Sequence, residues 1–386
     1  MGAIQMNRSS HSVYERFSSI ALKSIMRGIL LSLACFAIVS CNKPTPISIH
    51  IVYGSEKQAW LAPLVTEYNH LQSRIYVEAT PMGSVDSIRS IVVGVDQPTV
   101  WSPASSVHIP MAEAEWRRVR ATELVDGAPQ SLVSSLVVIA IWQEMAEALG
   151  WPAKPIGWAD IAKLAASEQG WAMYGRPEWG AFKFGYTHPE YSNSGLISLV
   201  AMAYAGVGKQ AVLTSHDLAD PQVQAFIETV GQSVVYYGSS TGSFSERMFH
   251  CRNGGMGYLS AAVLYEHLVI EQEQKRREGR GCAAEQSPVV AIYPVEGTFW
   301  ADHPYVILNA PWVTPEQKAA AREFEAFLRA APQQQRAIQL GFRPFDAPVT
   351  IYERNADGSQ RTEPTTMLHT PSTDVIQQLL KLWRQS

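Results

Sequence analysis

Several features that would assign this chain to a common class are missing from its sequence. It has no positive stripe of Lys and Arg, and a net charge of −4 gives no general attraction to nucleic acid. Only 17% of the residues are charged, whereas 46% are hydrophobic, which argues against a disordered chain. No apolar run reaches the roughly 20 residues that a membrane-spanning helix requires. With 386 residues, the chain is long enough to form two packed cores.

Motifs of several enzyme and cofactor classes are also missing. The sequence has no CxxC pair, HExxH motif or zinc-finger spacing, and no GxxxxGK[ST] or strand-borne GxGxxG phosphate loop. Residues 238–242 (GSSTG) match the GxSxG pattern of hydrolases, but the downstream Asp302 and His303 are adjacent, which does not suit a catalytic triad. Tyr236 and Tyr237 resemble the paired tyrosines of periplasmic iron-binding proteins, but no carboxylate-and-histidine partner accompanies them. We predict no enzyme activity, no cofactor and no metal site.

The N-terminal region has the pattern of an export signal. The apolar run 28–39 is about twelve residues long, the length of a signal-peptide core, and Lys23 and Arg27 precede it. It leads into Ile-Val-Ser-Cys, which resembles the bacterial lipobox, in which the cysteine thiol receives a diacylglycerol before cleavage. We predict a signal peptide over 1–40 and a lipidated Cys41; an uncleaved N-terminal anchor is the alternative.

The predicted mature chain begins with a short tether. Residues 41–46 are polar and Pro-rich, and they would link the lipid to a domain held at a membrane surface. Met26 opens a compact signal of its own, so the start is either Met1 or Met26. The expected location is the cell envelope, facing the periplasm or the extracellular side, and the sequence does not distinguish the inner from the outer membrane.

The chain has few cysteines, and two of its four fall in the N-terminal region. Cys35 would leave with the signal peptide and Cys41 would carry lipid, which leaves Cys251 and Cys282. An even pair in an oxidising compartment is usually bonded, so we predict a disulfide between them; two free thiols are the alternative. The bridge would close a loop of about 30 residues, worth roughly 3 kcal/mol.

Strands and helices alternate along the mature sequence, which predicts an α/β fold with mostly parallel sheets. Turns rich in hydroxyl groups and glycine follow four predicted strands: 47–53, 98–101, 182–186 and 234–237. Residues 256–260 read as a further strand and 261–270 as a helix. At helix N-termini, such turns present N–H and O–H donors that can hold an anion without Lys or Arg. Each single turn is explained equally well by an ordinary helix N-cap. Four of them in an exported chain favour a shared binding cleft.

Four segments carry a resemblance to a known family. Residues 53–61 (YGSEKQAWL) look like the opening of bacterial extracellular solute-binding proteins in their molybdate/sulfate-like branch. Residues 100–106 (VWSPASS), 184–195 (FGYTHPEYSNSG) and 290–296 (VAIYPVE) resemble later segments of the same family. The segments occur in family order, and the likeness covers about 47–345.

The resemblance implies a type II periplasmic-binding-protein fold, in which two α/β lobes are joined by two crossover strands. Ligand is held in the cleft between the lobes. Lobe one would comprise 47–138 and 296–386, and lobe two would comprise 139–295. By the same resemblance, ligand donors would come from both lobes: Ser55, Ser102, Ser105, Ser192, Asn193, Ser194 and Tyr293.

The function implied by the resemblance is that of a lipid-anchored solute-binding component of an ABC-type importer. Its partners would be the transporter permease, the membrane through the lipid, and a small polar or anionic solute, with oxyanions among the candidates. The alternative is a scaffold or adhesion lipoprotein that keeps the fold without transport. The solute stays open, because hydroxyl-rich turns suit oxyanions, carboxylates and sugars alike.

Overall fold

A computed structural model describes residues 45–250, 252, 254–280, 285–345 and 366–385. The predicted signal peptide, the lipidation site Cys41 and the predicted disulfide partners Cys251 and Cys282 lie outside the described residues. Ile47–Ser386 form a compact unit of their own, and every element named below belongs to it. None of the described helices is both long and apolar enough to cross a bilayer.

The strands of this unit are β1 (Ile47–Gly54), β2 (Ile75–Met82), β3 (Val100–Ser102), β4 (Gln130–Ser131), β5 (Val133–Trp142), β6 (Phe184–Thr187), β7 (Val234–Gly238), β8 (Ala261–Tyr265), β9 (Val289–Ile292), β10 (Trp300–Ala301), β11 (Pro304–Ile307) and β12 (Arg343–Pro344). The α-helices are α1 (Gln58–Leu71), α2 (Ser84–Val93), α3 (His108–Val119), α4 (Gln143–Ala148), α5 (Trp158–Ala165), α6 (Asn193–Val207), α7 (Pro221–Gly231), α8 (Thr241–Met248), α9 (Glu266–Arg277), α10 (Pro315–Arg329), α11 (Ala331–Gln339) and α12 (Thr373–Trp383). Short 3-10 turns cover Ser55–Lys57, Gly170–Tyr174, Pro177–Trp179 and Asp217–Ala219.

The first lobe is built on a sheet with the strand order β2-β1-β3-β11-β4. Strand β1 pairs in parallel with β2 and β3, whereas β11 runs antiparallel to β3. The apolar faces of α1 and α10 cover one side of this sheet, where Tyr68 meets Phe324 edge-on with ring centroids 4.8 Å apart. Because the parallel strands end at the same edge, the turns after β1 and β3 lie side by side.

The second lobe is built on a sheet with the order β10-β5-β8-β6-β7, to which β9 and β12 add through β5. Strand β6 runs parallel to β7 and β8. Helix α6 is buried from Asn193 to Tyr204, because its sequence is apolar on almost every face and the helix lies in the core.

The long strand β5 joins the two lobes. Its first residues, Val133 and Ser134, pair with β12, and its later residues, from Ile139 to Trp142, pair with β9. The predicted α/β class and two-lobed architecture are confirmed. The predicted lobe boundaries stay a prediction, and helix α12, which that division assigns to lobe one, packs against α6 and α7 of the second lobe.

The segment that follows β9 positions a helix of the second lobe. Glu296 follows β9, and its carboxylate accepts hydrogen bonds from the N–H groups of Trp158 and Ala159, both at 2.9 Å. These are first-turn donors of α5 that have no partner inside the helix. A carboxylate at a helix N-terminus also interacts favourably with the helix dipole. The segment after β9 is thus fixed to the second lobe at Glu296.

Candidate functional site

The predicted donors of the first lobe lie at one edge of its sheet. Ser55 directly follows β1 and Ser102 ends β3, where Tyr53 and Ser102 are paired residues of neighbouring parallel strands. Ser55, Ser102 and Ser105 are buried, with at most 7% of their surface exposed. The Ser105 hydroxyl accepts a hydrogen bond from the N–H of Val107 at 3.3 Å, so it stabilises its own turn.

The predicted donors of the second lobe form a network of hydroxyl groups. Ser194 Oγ lies 2.8 Å from Thr187 Oγ1, at the end of β6, and 2.9 Å from Thr241 Oγ1, at the start of α8. Thr241 Oγ1 also lies 3.1 Å from Ser192 Oγ. Thr187 accepts a further hydrogen bond from the N–H of Gly195. The turns after β6 and β7 are therefore joined at the first turns of α6 and α8.

The two lobes meet directly at these turns. Ser55 Oγ accepts a hydrogen bond from the N–H of Gly242 at 3.0 Å, and His108 Nε2 lies 2.8 Å from Asn193 Oδ1. The structure thus brings the strand ends of both lobes together. We call this contact region the seam and define it by two sets of residues, Ser55, Ser102 and His108 from the first lobe and Ser192, Asn193, Ser194 and Gly242 from the second.

A backbone contact extends the seam. The N–H groups of Val85 and Asp86, in the first turn of α2, both donate to the carbonyl oxygen of Tyr191 at 3.1 Å. Gly83 permits this approach, since a Cβ atom there would lie 2.3 Å from the same oxygen. A helix N-terminus of the first lobe is therefore satisfied by a backbone carbonyl of the second lobe.

Tyr293 lies in a second polar group, not in the hydroxyl network. Its hydroxyl donates to the carboxylate of Glu266, which accepts two hydrogen bonds from Arg343 at 3.0 and 3.1 Å. Both charged side chains are buried, and a bidentate pair of this kind is well suited to burial. Since Glu266 directly follows Tyr265, whose hydroxyl accepts from Asn193 Nδ2 at 2.7 Å, the group adjoins the seam.

Sequence reasoning missed a buried ion pair beside Ser55. Lys57 Nζ lies 3.0 Å from Glu56 Oε1 and 3.3 Å from both the carbonyl oxygen of Pro103 and Nδ1 of His303. Burial disfavours both charges and lowers the pKa of Lys57, whereas the ammonium and His303 hold the pKa of the Glu56 carboxyl well below its usual range. Gly54 makes room for this carboxylate, because a Cβ there would lie 2.2 Å from Glu56 Oε1.

Two histidines, His267 and His303, contact residues of this ion pair, and a third, His108, belongs to the seam. His267 bonds to Ser135 Oγ at 3.0 Å and to the carbonyl oxygen of Glu56 at 3.1 Å. Burial lowers the pKa of His267 to about 3 and that of His108 to about 4, so both rings are neutral at pH 7. The pKa of His303 is also lowered, first by burial and then by Lys57.

The backbone of His303 is strained. Its φ angle of 39° lies in the left-handed region, and among the described residues it is the one non-glycine residue with a positive φ. Its N–H donates to the carbonyl oxygen of Ala104 and its own carbonyl accepts from Leu132, both at 3.1 Å. Such conformations cost roughly 1–3 kcal/mol and concentrate at functional sites. Ala104 belongs to the turn that follows Ser102, so His303 is held beside this turn.

Three buried polar atoms in this region have no partner among the described residues: Ser102 Oγ, His108 Nδ1 and His303 Nε2. Buried polar groups are nearly always hydrogen-bonded, and an exception needs an explanation. Ser102 ends β3, His108 begins the helix after the next turn, and His303 is the strained residue held beside this turn. They are therefore candidate ligand contacts.

A polar cavity of about 250 Å³ opens beside the seam, between the starts of α1 and α8 and one face of α9. Ser55, Glu56 and Gly242 line it, together with Glu271 and Gln272. Its lining includes Ser55 and Gly242 of the seam, whereas Ser102 and Asn193 are buried and do not line it. Within the described part of the chain, no group of His, Cys, Asp and Glu side chains has a metal-binding arrangement.

Residues 49–343 match the model of the bacterial extracellular solute-binding protein family. The chain belongs to this family, and its two lobes are those of a type II periplasmic binding protein. The predicted resemblance is confirmed.

The curated proteins that the chain matches are distant in sequence. An uncharacterized protein of Mycobacterium tuberculosis is 22% identical over 265 residues, which are 66% of this chain and 36% of that protein. The chain thus spans about a third of the length of the curated relatives it matches.

Solved structures share the fold at low identity. A periplasmic thiamin binding protein covers 89% of this chain and 97% of its own, with a TM-score of 0.63 and 12% identity. The ferric binding protein from Campylobacter jejuni covers 87% of this chain and 98% of its own, with a TM-score of 0.58 and 10% identity. The sulfate-binding protein SubI from Mycobacterium tuberculosis H37Rv covers 78% of this chain and 88% of its own, with a TM-score of 0.51 and 18% identity. These similarities concern the fold alone.

Proposed function

We propose that this chain is the lipid-anchored solute-binding component of an ABC-type importer and that a small polar solute binds at the seam. The observation that carries the site is the hydroxyl of Ser102, which is fully buried at the end of β3 and has no partner among the described residues. Membership of the solute-binding family supports the class of function.

The predicted donors differ in whether their side chains already form hydrogen bonds within the protein. Ser102 Oγ has no partner among the described residues, whereas Ser55 and Asn193 each bond across the seam and would lose these partners when the lobes separate. Ser105 stabilises its own turn and Tyr293 bonds to Glu266. We therefore propose that Ser102, Ser55 and Asn193 contact the solute and that Ser105 and Tyr293 support their surroundings.

The proposed anchor and partner follow from the N-terminal pattern and the family. A lipidated Cys41 followed by a short tether would keep the binding unit at the membrane, where an ABC permease accepts the solute. Hinge motion between the lobes would release the solute, as is usual when two lobes close around a ligand.

The test is co-purification from the native bacterium. The chain, tagged at its C-terminus, is expected to recover a permease and an ATPase subunit from detergent-solubilised membranes, identified by mass spectrometry. A matched Cys41→Ser variant should recover less of both, because it loses its lipid. Failure to recover either subunit, combined with unchanged solute uptake in a deletion strain, would contradict the proposal and favour the scaffold alternative.

A further inference from the structure

The last helix, α12, lies outside the part of the chain that matches the family. The match ends at residue 343, whereas α12 spans Thr373–Trp383. Its buried apolar residues pack against α6 and α7 of the second lobe. The segment before it is held at the same lobe, since the Tyr204 hydroxyl donates to the carbonyl oxygen of His369 at 2.7 Å. The helix is therefore a part of the second lobe to which the family match assigns no role.

The end of α12 contacts the turn that joins β6 to α6. The Trp383 ring meets the ring of His188 edge-on, with centroids 4.9 Å apart. The next residue, Arg384, donates two hydrogen bonds to the carboxylate of Glu190, one of them at 2.8 Å. Both contacts fall on residues 188–191, which we call the seam turn.

Trp383 is itself held by two strands of the second lobe. Its ring lies edge-on to that of Tyr237 in β7, with centroids 6.0 Å apart. The indole N–H, the one polar group of this side chain, bonds to the hydroxyl of Tyr186 in β6. The sheet of the second lobe therefore fixes the ring against which the seam turn packs.

Within the seam turn, the aromatic contact continues to Tyr191. Its ring stacks on that of His188, with centroids 4.3 Å apart and an angle of 18° between the planes. The carbonyl oxygen of Tyr191 accepts hydrogen bonds from the N–H groups of Val85 and Asp86 in the first lobe, both at 3.1 Å. A continuous set of contacts thus runs from Trp383 through His188 and Tyr191 to α2.

The contact at Tyr191 tolerates little displacement. Two N–H groups share its carbonyl oxygen, and a hydrogen bond weakens steeply when donor and acceptor are misaligned. Gly83 approaches the same oxygen, since a Cβ atom there would lie 2.3 Å from it. The position of the seam turn therefore decides whether α2 of the first lobe can close on it.

Open space adjoins the seam turn on one side. Glu190 lines a cavity of about 300 Å³, together with Val85, Arg89 and Met111 of the first lobe. On this side the turn borders a cavity instead of packed side chains, and Arg384 is the residue that holds Glu190. Support for the turn therefore comes from the end of α12.

We propose that Trp383 and Arg384 are positioning residues that hold the seam turn where it closes on the first lobe. Neither belongs to the seam, so they act through His188 and Glu190. Trp383 contributes more, because its ring is packed against other rings, whereas the Arg384 side chain is 53% exposed and an exposed ion pair contributes little. The inference goes beyond the proposed function, since it concerns the closure of the lobes and not the solute or the transporter.

The two amides that meet Tyr191 give a direct measure of this closure. Val85 and Asp86 lie in the first turn of α2, so neither N–H has an acceptor within its own helix. Their protection against hydrogen exchange depends on Tyr191 and is lost when the lobes separate at this point.

The test is hydrogen exchange of the purified full-length chain at pH 7.5, read by mass spectrometry at single-residue resolution. Trp383→Ala is expected to speed exchange at Val85 and Asp86 about tenfold, the factor that one aromatic pair can supply. Arg384→Ala should speed it about twofold, because its ion pair is exposed. Lys381→Ala, an exposed change on the same helix, is the matched control and should exchange like the wild type.

A conservative variant separates positioning from a general loss of stability. Trp383→Phe keeps an aromatic ring against His188, so it should restore most of the protection at Val85 and Asp86. The amide of Ala140, in the middle of the second-lobe sheet between β8 and β9, should exchange in every variant as it does in the wild type.

The outcomes decide the inference without the transporter. Unchanged exchange at Val85 and Asp86 in Trp383→Ala overturns it, and so does an equal acceleration at Ala140, because the helix would then only stabilise its lobe. If Trp383→Ala does not fold, Trp383→Phe and Arg384→Ala are compared with Lys381→Ala, and unchanged exchange in both again overturns the inference. Each of these results leaves the proposed function standing, since that proposal fails on the recovery of transporter subunits.

Discussion

His108 Nε2 lies 2.8 Å from Asn193 Oδ1, although the two residues are 85 positions apart in the sequence and belong to different lobes. Both side chains are buried, with at most 1% of their surface exposed. Together with the contact between Ser55 and Gly242, this pair closes the lobes on each other through protein groups. A solute must therefore compete with these contacts, and the balance between the open and closed arrangements sets its apparent affinity.

The close approach at Gly242 gives a direct test of this closure. A Cβ atom at position 242 would lie 2.6 Å from the carbonyl oxygen of Ser55 and 2.9 Å from its Oγ. Gly242→Ala is therefore expected to force the lobes apart at this point, and small-angle X-ray scattering should show a larger radius of gyration. The matched control is Gly231→Ala in α7, where a Cβ has no atom within 4 Å. An unchanged scattering profile for Gly242→Ala would contradict the expected opening.

The hydroxyl network predicts a contrast between two serines. Ser194→Ala leaves two buried threonine hydroxyls, Thr187 and Thr241, each without one partner, so the free energy of unfolding should fall by about 1–3 kcal/mol. Ser102→Ala removes a buried hydroxyl with no partner among the described residues, so the free energy of unfolding should stay the same or rise. Urea unfolding at pH 7 measures both values. A larger loss for Ser102→Ala than for Ser194→Ala would refute the assigned contacts.

The sequence predicted the strand-end turns well, because their signals are local. Strand β1 runs from Ile47 to Gly54 and is followed by Ser55, in agreement with the predicted strand and turn. The prediction fails at 256–270, where a strand was expected before residue 261 and a helix after it. In the structure, Ala261–Tyr265 is strand β8 and the helix begins at Glu266. Because β8 is buried on both faces, its apolar run has no period that separates a strand from a helix.

The buried ionisable groups beside the seam were not predictable in this way. His267 and His303 come from separate segments, and only tertiary packing brings their rings to the pair formed by Glu56 and Lys57. One local signal was available, because two opposite charges directly follow a buried strand, at the turn where a ligand was expected. The bond of Tyr293 to Glu266 was likewise not predictable from its position in the family order, and its role as a ligand donor stays a prediction.

The predicted lipid anchor gives a test outside the described residues. Cys41→Ser removes the thiol that would receive the diacylglycerol, so the variant should remain an unprocessed precursor. Radiolabelled palmitate should enter the wild-type chain and not the variant. Cys35→Ser, within the predicted signal peptide, is the matched control and should be labelled like the wild type. Equal labelling of Cys41→Ser would rule out this anchor.

The predicted disulfide is tested by a second measurement on cysteines. Cys251 and Cys282 are the two that remain after the predicted signal peptide and lipidation site. In protein exported by its native host, mass spectrometry of non-reduced digests should find one cross-linked peptide pair that separates on reduction. If both thiols are alkylated without prior reduction, the disulfide prediction is wrong.

The buried histidine at the seam predicts how stability depends on pH. Burial lowers the pKa of His108 to about 4 in the folded protein, partly offset by its bond to Asn193 and by the charges of Asp302 and Glu56. In the unfolded chain, the pKa returns to about 6.5. Between these values, the unfolded state binds more protons, so the contribution of His108 is fully present above pH 6.5 and is lost as the pH falls towards 4. At about 1.4 kcal/mol per pH unit, the loss amounts to roughly 3 kcal/mol.

His108→Gln isolates this contribution, because glutamine keeps an N–H donor for Asn193 Oδ1 and does not titrate. Unfolding free energies measured in urea from pH 7 to pH 4.5 should fall less steeply for the variant than for the wild type. Other buried groups, His267 and His303 among them, titrate in both proteins, so the difference between the two slopes reports His108. Parallel slopes would mean that the ring is already charged at neutral pH or becomes exposed before it is protonated. Either result would contradict the neutral, buried state assigned to His108 in the folded protein.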